Sequence, residues 1–114
     1  MNDVTMTALH SALRGLSTRQ RVIATNVSNI ETPGYLAGRV NFEASLRGAL
    51  AAGDNPNVQA TTGRSLEPTR MNGNNVNLDE ETLSLMDTGL QYQLAVNAIN
   101  SKFSLLRTAI KGGA

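Results

Sequence analysis

Apolar residues in the first quarter of the chain recur in alternating steps of three and four. Only Gln20 interrupts the series, which consists of Met6, Leu9, Leu13, Leu16, Ile23, Val27 and Ile30. This heptad spacing is typical of one face of a helix that packs against another helix. It predicts a helix over residues 6–30, about 40 Å long at 1.5 Å per residue. Thr32-Pro33-Gly34 ends the helix, because the residue before a proline avoids the α region and glycine opens a turn.

A second helix is predicted over residues 78–111. In the stretch "NLDEE", Asn77 can cap the first turn, Glu80 can reach back to it, and the acidic residues favour the positive end of the helix. Gly112-Gly113 ends the pattern. The apolar stripe of this helix consists of Leu78, Leu85, Tyr92, Val96, Ile99, Phe103, Leu106 and Ile110.

The same helix carries a second apolar row, formed by Leu83, Met86, Leu90 and Leu94. A helix with apolar residues on two faces has more than one face to bury. We therefore expect this helix to contact more than the first helix.

Residues 31–77 are rich in Gly, Asn and Thr and show little periodicity, which predicts an extended linking arm. Asn41 is a candidate cap for a short helix that ends at Gly53 and shares the face Phe42, Leu46, Ala49 and Leu50. Asn72-Gly73 predicts a tight turn, and the residues beside it are candidates for short extended segments. The predicted fold is mainly α over one domain, residues 1–114, with two long terminal helices forming an antiparallel coiled-coil-like pair and a long irregular middle.

Charges favour the antiparallel arrangement. Arg19 and Arg21 lie towards the end of the first helix, whereas acidic residues open the second. An antiparallel pair would bring these groups together and place Asp3 near Lys102 and Arg107. Exposed ion pairs contribute only about 0.2–1 kcal/mol each, so they bias the orientation without holding the fold.

The composition excludes several classes of function. Ten basic and nine acidic residues give a formal charge of +1, which provides no field to attract nucleic acid. Cysteine is absent, so disulfides and thiolate sites are excluded. We expect no signal peptide, because the N-terminus lacks a basic leader and a continuous apolar stretch, and no direct insertion into a membrane.

No pattern of catalytic, cofactor-binding or metal-ligating residues stands out. His10 is the single histidine and lies among helix-forming residues. The acidic residues 79–81 could be combined with the amides of residues 72–77 as a cation site, but helix capping explains them more simply. We therefore expect no enzyme, no cofactor and no metal.

The predicted pair of helices is too small to be stable alone. Burial of one stripe is about balanced by the cost of ordering its backbone, and the second row would stay in water. We predict that the isolated chain is largely disordered in dilute solution and becomes ordered on assembly.

Two asparagines, Asn26 and Asn29, lie three residues apart at the end of the first helix. One interpretation is an ordinary helix end, at which asparagine tolerates the last turn. The other is that both amides bind adjoining chains and set their axial register, as a buried asparagine does in coiled coils. The residues themselves leave both interpretations open.

The stretch "ATNVSNIETPGY" closely resembles the signature shared by bacterial flagellar rod and hook proteins, in which an Ala-Asn-Asn-Ile-Ala-Asn-like helix end precedes Thr-Pro-Gly-Tyr. Thr25 and Ser28 are mild departures from it. The matching positions are Ala24, Asn26, Asn29, Thr32, Pro33, Gly34 and Tyr35. The stretches "RQRVIATN", "NGNNVNLDEE" and "YQLAVNAINSKFSLLRTAI" narrow the resemblance to basal-body rod proteins of the proximal rod.

The resemblance implies a structural subunit of the flagellar rod, the hollow driveshaft that transmits torque and conducts exported subunits. It implies self-association in a helical assembly, contacts with other rod proteins, and contacts with the membrane ring, the export gate and an adaptor at the rod base. It also implies a periplasmic location, reached by type III export without a cleaved signal.

In this interpretation the six residues Asn26, Asn29 and Thr32 to Tyr35 form an assembly motif, and the two apolar stripes are the packing residues of the helices. A soluble helical adaptor or an export chaperone remains as an alternative. It would bind a partner helix through the second apolar row.

Overall fold

The computed structural model describes residues 3–112, and within them it contains three helices and two strands. In chain order these are α1 (Val4–Ser28), β1 (Gly38–Asn41), α2 (Glu43–Ala52), β2 (Thr61–Arg64) and α3 (Leu78–Gly112). The prediction of a mainly helical fold with two long terminal helices is confirmed. Gly113, half of the predicted glycine stop, lies outside the described residues.

Helix α1 begins two residues before the predicted start and ends two residues before the predicted end. Asp3 caps it, and the carboxylate accepts a hydrogen bond from the Thr5 amide at 2.9 Å. At the other end Asn29 has already left the helical conformation, with φ −109° and ψ 17°. The helix therefore stops at Ser28, before Pro33 could interfere with it.

Helix α3 begins at Leu78, as predicted. The side-chain oxygen of Asn77 accepts hydrogen bonds from the amides of Asp79 at 3.0 Å and Glu80 at 3.2 Å. Glu80 does not reach back to the cap as expected, because its carboxylate lies 3.9 Å from the Arg39 guanidinium.

The two long helices run antiparallel. The Lys102 ammonium lies 2.6 Å from the Asp3 carboxylate, and the Asn26 amide donates to Glu81 at 3.1 Å, so opposite ends of the helices meet. The predicted contacts of the α1 arginines with the acidic start of α3 are wrong for Arg19, which binds Glu43 of α2 instead at 2.6 Å. No helix within residues 3–112 is both long and apolar enough to span a membrane.

The middle of the chain folds back onto the helices. Strands β1 and β2 pair antiparallel, from Gly38 opposite Arg64 to Asn41 opposite Thr61. The predicted turn at Asn72-Gly73 is present, with Gly73 at φ +84°, but the paired strands lie elsewhere in the chain. Much of the expected linking arm is therefore ordered structure.

The short helix α2 is present, but its start differs from the prediction. Asn41, the expected cap, is the last residue of β1, and Phe42 occupies the cap position without a side-chain hydrogen bond. Phe42 is drawn inward because its ring packs with Leu16 and Val40 in the core. Gly53 ends the helix in the left-handed conformation, at φ +72°.

The core is small and lies between α1, α2 and β1. Partly buried Ala12, Val22, Ala60 and Tyr92 pack around its three central residues. Gly15 lets α1 approach Phe42, because a Cβ atom at this position would overlap the aromatic ring.

The predicted apolar stripes are buried unevenly in the single chain. Met6, Leu16, Ile23 and Ile99 are buried. Leu9, Leu13, Ile30, Tyr92, Val96 and Leu106 are half-buried. Val27, Leu78, Leu85, Phe103 and Ile110 are exposed. The polar residues Glu81 and Thr88 are buried on α3 instead, so the contact face of α3 is rotated away from Leu85 in its first half.

Candidate functional site

The end of α1, the loop after it and the start of α3 meet in one polar cluster. We call this cluster the amide junction and define it as residues 26–39 together with residues 70–81. It contains the whole asparagine and Thr-Pro-Gly-Tyr signature. It also contains the loop before α3, which the sequence pattern presents only as a turn and a helix cap.

Asn26 lies at the centre of the amide junction and is 0% exposed. Its side-chain nitrogen donates to the Gly38 carbonyl at 3.0 Å and to the Glu81 carboxylate at 3.1 Å. Its side-chain oxygen accepts from the Gly38 amide at 2.8 Å and from the Tyr35 hydroxyl at 3.4 Å. Both ends of the Asn26 amide therefore bind groups of their own chain, so this side chain needs no adjoining chain to satisfy it.

Glu81 is the acceptor that connects this cluster to α3, and its side chain is 1% exposed. One carboxylate oxygen accepts from Asn26 and, at 2.8 Å, from the Arg39 guanidinium. The second oxygen is buried without a hydrogen-bond partner among the described residues. A buried carboxylate is costly unless it is paired, so Arg39 is required to hold Glu81 in this place.

Arg39 also forms two longer ion pairs with other carboxylates. Its guanidinium lies 3.8 Å from Glu67 and 3.9 Å from Glu80. Two acidic residues at the start of α3, Glu80 and Glu81, thus pair with an arginine of β1, whereas the sequence pattern suggested arginines of α1. Arg39 and Glu81 are 42 positions apart, so no local pattern in the sequence indicates this pairing.

Asn29 is partly exposed, in contrast to Asn26. Its side-chain nitrogen donates to the Thr25 carbonyl at 2.9 Å, and its side-chain oxygen accepts from the Thr32 hydroxyl at 3.0 Å. Through these two hydrogen bonds, the Asn29 side chain connects the last turn of α1 to the loop that follows it. Thr32 and Pro33 are exposed beside it and present a surface around the helix end.

An asparagine side chain of the loop before α3 forms hydrogen bonds with the backbone at this helix end. Asn74 is buried and donates to the carbonyls of Asn29 at 2.9 Å and Thr32 at 2.8 Å. Carbonyls at a helix end lack partners within the helix, and Asn74 supplies them from another part of the chain. The Arg70 guanidinium donates to the Ile30 carbonyl in the same way.

Asn75 joins the loop to the strands. Its side-chain oxygen accepts from the Ala37 amide at 2.7 Å, and its nitrogen donates to the carbonyls of Ser65 at 3.2 Å and Glu67 at 3.1 Å. Neither this role of Asn75 nor that of Arg70 is predicted from the sequence. The available signal was the run of asparagines itself, because Asn side chains commonly satisfy backbone groups in irregular segments.

Two glycine turns pack against each other at the edge of the amide junction. Gly34 has φ +75°, and its amide donates to the Asn72 carbonyl at 2.9 Å. A Cβ atom on Gly73 would lie 3.2 Å from the Gly34 Cα. The close approach and the positive φ angles together explain why glycine stands at both positions.

Tyr35 turns back into the molecule. Its hydroxyl accepts a hydrogen bond from Arg64 at 3.3 Å, and the Arg64 guanidinium lies 5.2 Å from the centre of its ring. The residue therefore leads the chain into β1 and packs against β2.

The amide junction offers connections between elements and no reacting group. Two of its acidic side chains, Glu80 and Glu81, lie in ion pairs with Arg39. Across residues 3–112, no group of three or more acidic or histidine side chains is placed to hold a metal ion.

Comparison with known proteins identifies relatives along almost the whole chain. A flagellar basal body rod protein FlgB of Bacillus subtilis is 31% identical, over 96% of this chain and 95% of the relative. The FlgB of Escherichia coli is 27% identical over 97% and 96%, and that of Aeromonas hydrophila is 32% identical over 89% and 88%. No protein-family model matches the chain.

The fold and these relatives define a structural protein of the bacterial flagellum, not an enzyme. Within that class the chain belongs to the family of the flagellar basal body rod protein FlgB. The resemblance found in the sequence is thereby confirmed. The relatives give no support for the alternative of an adaptor or export chaperone.

Proposed function

We propose that the chain is a subunit of the proximal rod that polymerises, with its own copies and with other rod proteins, into the hollow driveshaft. In this role α1 and α3 pack as a coiled-coil-like pair in the wall of the tube. The tube lies in the periplasm, and its subunits reach it by type III export without a cleaved signal. At its base the tube contacts the membrane ring, the export gate and an adaptor. The family membership supports the role in the rod; the finer contacts are our proposal.

The contacts between α1 and α3 in the amide junction are the main support for this role. Transmission of torque requires subunits whose helices do not slide along each other. Asn26 and Glu81 join the end of α1 to the start of α3 at one height, and Asn74 closes the carbonyl end of α1. The junction therefore fixes the axial register within each subunit, and Asn29, Thr32, Pro33 and Gly34 at its surface contact the neighbours.

The remaining apolar residues support an assembled state. Leu85, Phe103 and Ile110 are 46%, 48% and 69% exposed in the single chain. Removal of such apolar side chains from water lowers the free energy, and neighbouring subunits in a tube wall would cover them. Leu85, Phe103 and Ile110 are thus packing residues between subunits.

The test replaces the chromosomal gene in a motile bacterium with variants of this chain. Asn29→Ala should abolish swimming while rod-independent secretion continues, because the surface of the junction is altered and the buried contacts remain. Asn55→Ala, an exposed asparagine far from the junction, is the matched control and should swim normally. Normal swimming of the Asn29→Ala strain would contradict the role of the junction surface, and absence of the wild-type chain from isolated basal bodies would contradict the proposed function.

A further inference from the structure

The second apolar row of α3 faces away from the rest of the subunit. Leu83, Met86, Leu90 and Leu94 are 68%, 68%, 61% and 59% exposed. At about 100° per residue they form one face, and Leu90 points away from the buried Thr88, which faces α1. The row covers about 17 Å of helix, at 1.5 Å per residue, that nothing in the chain covers across residues 3–112.

A separate apolar groove opens between the three helices. Its volume is about 390 Å³. Buried Leu16 and Phe42 form its floor, Leu46 and Leu50 of α2 form one wall, and Gln91 and Ala95 of α3 form the other. A groove with helices on both sides and an apolar floor is the shape that receives side chains from another helix.

Charges around the two surfaces are complementary. Arg47 lines the groove and makes no ion pair within residues 3–112, whereas Glu43, the acidic residue of the lining, is already paired with Arg19. Asp87 lies beside the apolar row, between Met86 and Leu90, and its carboxylate contacts only Gln91 of its own helix among the described residues. An α3 helix that enters the groove of another copy would bring Asp87 to Arg47.

We propose that the groove of one copy receives the apolar row of a second copy, with Leu90 at the centre of the contact. The row and the groove lie on different faces, so a subunit cannot fill its own groove. In a head-to-tail contact each copy uses its row towards one neighbour and its groove towards another, which leaves a free row and a free groove at the ends of an open assembly. Contacts of this kind build open chains or helical assemblies. This inference rests on the proposed function and names the surfaces that would join copies of the chain in the rod.

The test uses two variants that each destroy one surface. Leu90→Glu alters the row and keeps the groove; Leu50→Glu alters the groove and keeps the row. Both positions are exposed in the subunit, so neither charge is placed in the core. Leu66→Glu, at a leucine that is 93% exposed outside both surfaces, is the matched control.

Sedimentation velocity over a range of concentrations measures the assemblies, and circular dichroism checks the helix content. The wild type and Leu66→Glu should form assemblies that grow with concentration. Leu90→Glu and Leu50→Glu should each associate at least about tenfold more weakly, because a charge enters the centre of the contact. An equimolar mixture of these two variants should form pairs that do not grow, because one groove meets one row and the other two surfaces are destroyed.

Exchange of the two charged residues provides a second test. Asp87→Arg and Arg47→Asp should each weaken association by roughly threefold, and the double variant should restore it, since an exposed ion pair is worth up to about 1 kcal/mol.

Several outcomes would overturn the inference. One is an equimolar mixture of Leu90→Glu and Leu50→Glu that keeps its helix content but stays monomeric. The others are single variants that assemble like the wild type, and a wild type that assembles only when another rod protein is added. In cells, a normal rod built from Leu90→Glu would overturn this interface and leave the proposed function intact, whereas a wild-type chain missing from the rod would overturn the proposed function.

Discussion

A single asparagine connects three elements of this subunit. Asn26 binds the backbone of Gly38 on both sides of its amide and the carboxylate of Glu81. An apolar residue of similar size could fill the same space, but it could not satisfy these backbone and charged groups. The chemical reason for asparagine at this position is therefore found inside the subunit.

The variant Asn26→Ala should lower the free energy of unfolding by about 3 kcal/mol, because it leaves the buried Gly38 amide without its acceptor and removes one of the two donors to the buried Glu81 carboxylate. Chemical denaturation at a concentration at which the chain is helical measures this change. Asn29→Ala should cost about 1 kcal/mol or less, since Asn29 is partly exposed and water can replace it. Equal losses in the two variants would contradict the assignment of Asn26 as the buried connector.

The Arg19 guanidinium beside Glu43 lowers the pKa of this carboxyl below its ordinary value of 4.5. A carboxylate with a lowered pKa in the folded state contributes stability above its unfolded pKa, and this contribution is lost as the pH falls through the folded value. Asp3, whose pKa is lowered by the hydrogen bond from Lys102, acts in the same direction.

We therefore expect the melting temperature of the wild type to fall as the pH decreases below about 4.5. Glu43→Gln should melt earlier at neutral pH and change less with acid, because it lacks the titrating group. A Glu43→Gln profile parallel to that of the wild type would exclude this ion pair as a source of the acid sensitivity.

At the scale of elements, the start of helix α2 is fixed to α1 by the aromatic ring of Phe42 and by the ion pair between Arg19 and Glu43. Phe42 lies under Gly15 of α1, and its ring stands 5.0 Å from the Arg19 guanidinium. Leu46 and Leu50 of α2 remain partly or largely open. The position of α2 therefore depends on the space above Gly15.

Gly15→Ala should destabilise the fold by about 1–3 kcal/mol, because the added methyl group displaces the Phe42 ring from the core. Gly48→Ala is the matched control: it is a helical glycine with no atom within 4 Å of the added Cβ. It should stabilise the fold by about 0.5–1 kcal/mol through helix propensity alone. Thermal unfolding followed by circular dichroism distinguishes the two, and stabilisation by both would show that Phe42 moves at no cost.

At the scale of the whole molecule, the subunit is elongated and has little core. It extends 68 Å along its longest axis and 15 Å along its shortest. Large apolar residues remain exposed along most of α3. Such a shape buries too little apolar surface to be robust alone and agrees with a subunit that is stabilised by neighbours.

We expect helix content to rise with protein concentration, because assembly supplies the missing contacts. Circular dichroism across a dilution series measures this. A cooperative thermal transition, with rigid amide signals throughout a dilute monomer, would contradict the prediction.

Leu106→Asp should block incorporation into the rod, because it places a charge within the predicted stripe of α3. Immunoblots of isolated basal bodies measure incorporation, and Leu66→Asp serves as the control outside the stripe. A normal rod that contains Leu106→Asp would show that this face of α3 is not a packing face.

The sequence by itself determined the two long helices, the start of α3 at Leu78 after the cap Asn77, the antiparallel pairing and the family. Heptad spacing, a capping side chain and a proline act over a few residues, so they can be read locally. The contact between Asp3 and Lys102 follows from these elements as soon as the helices are paired.

Only the tertiary structure decided which residues meet inside the amide junction. Arg39 finds Glu81 across 42 residues, and Asn74 reaches the end of α1 across 45. No local pattern encodes such a pairing, because the buried carboxylate and the open helix carbonyls accept donors from any segment that the chain can bring near. The same reason explains why the sequence left two interpretations of Asn26 open, whereas the structure shows its contacts within the subunit.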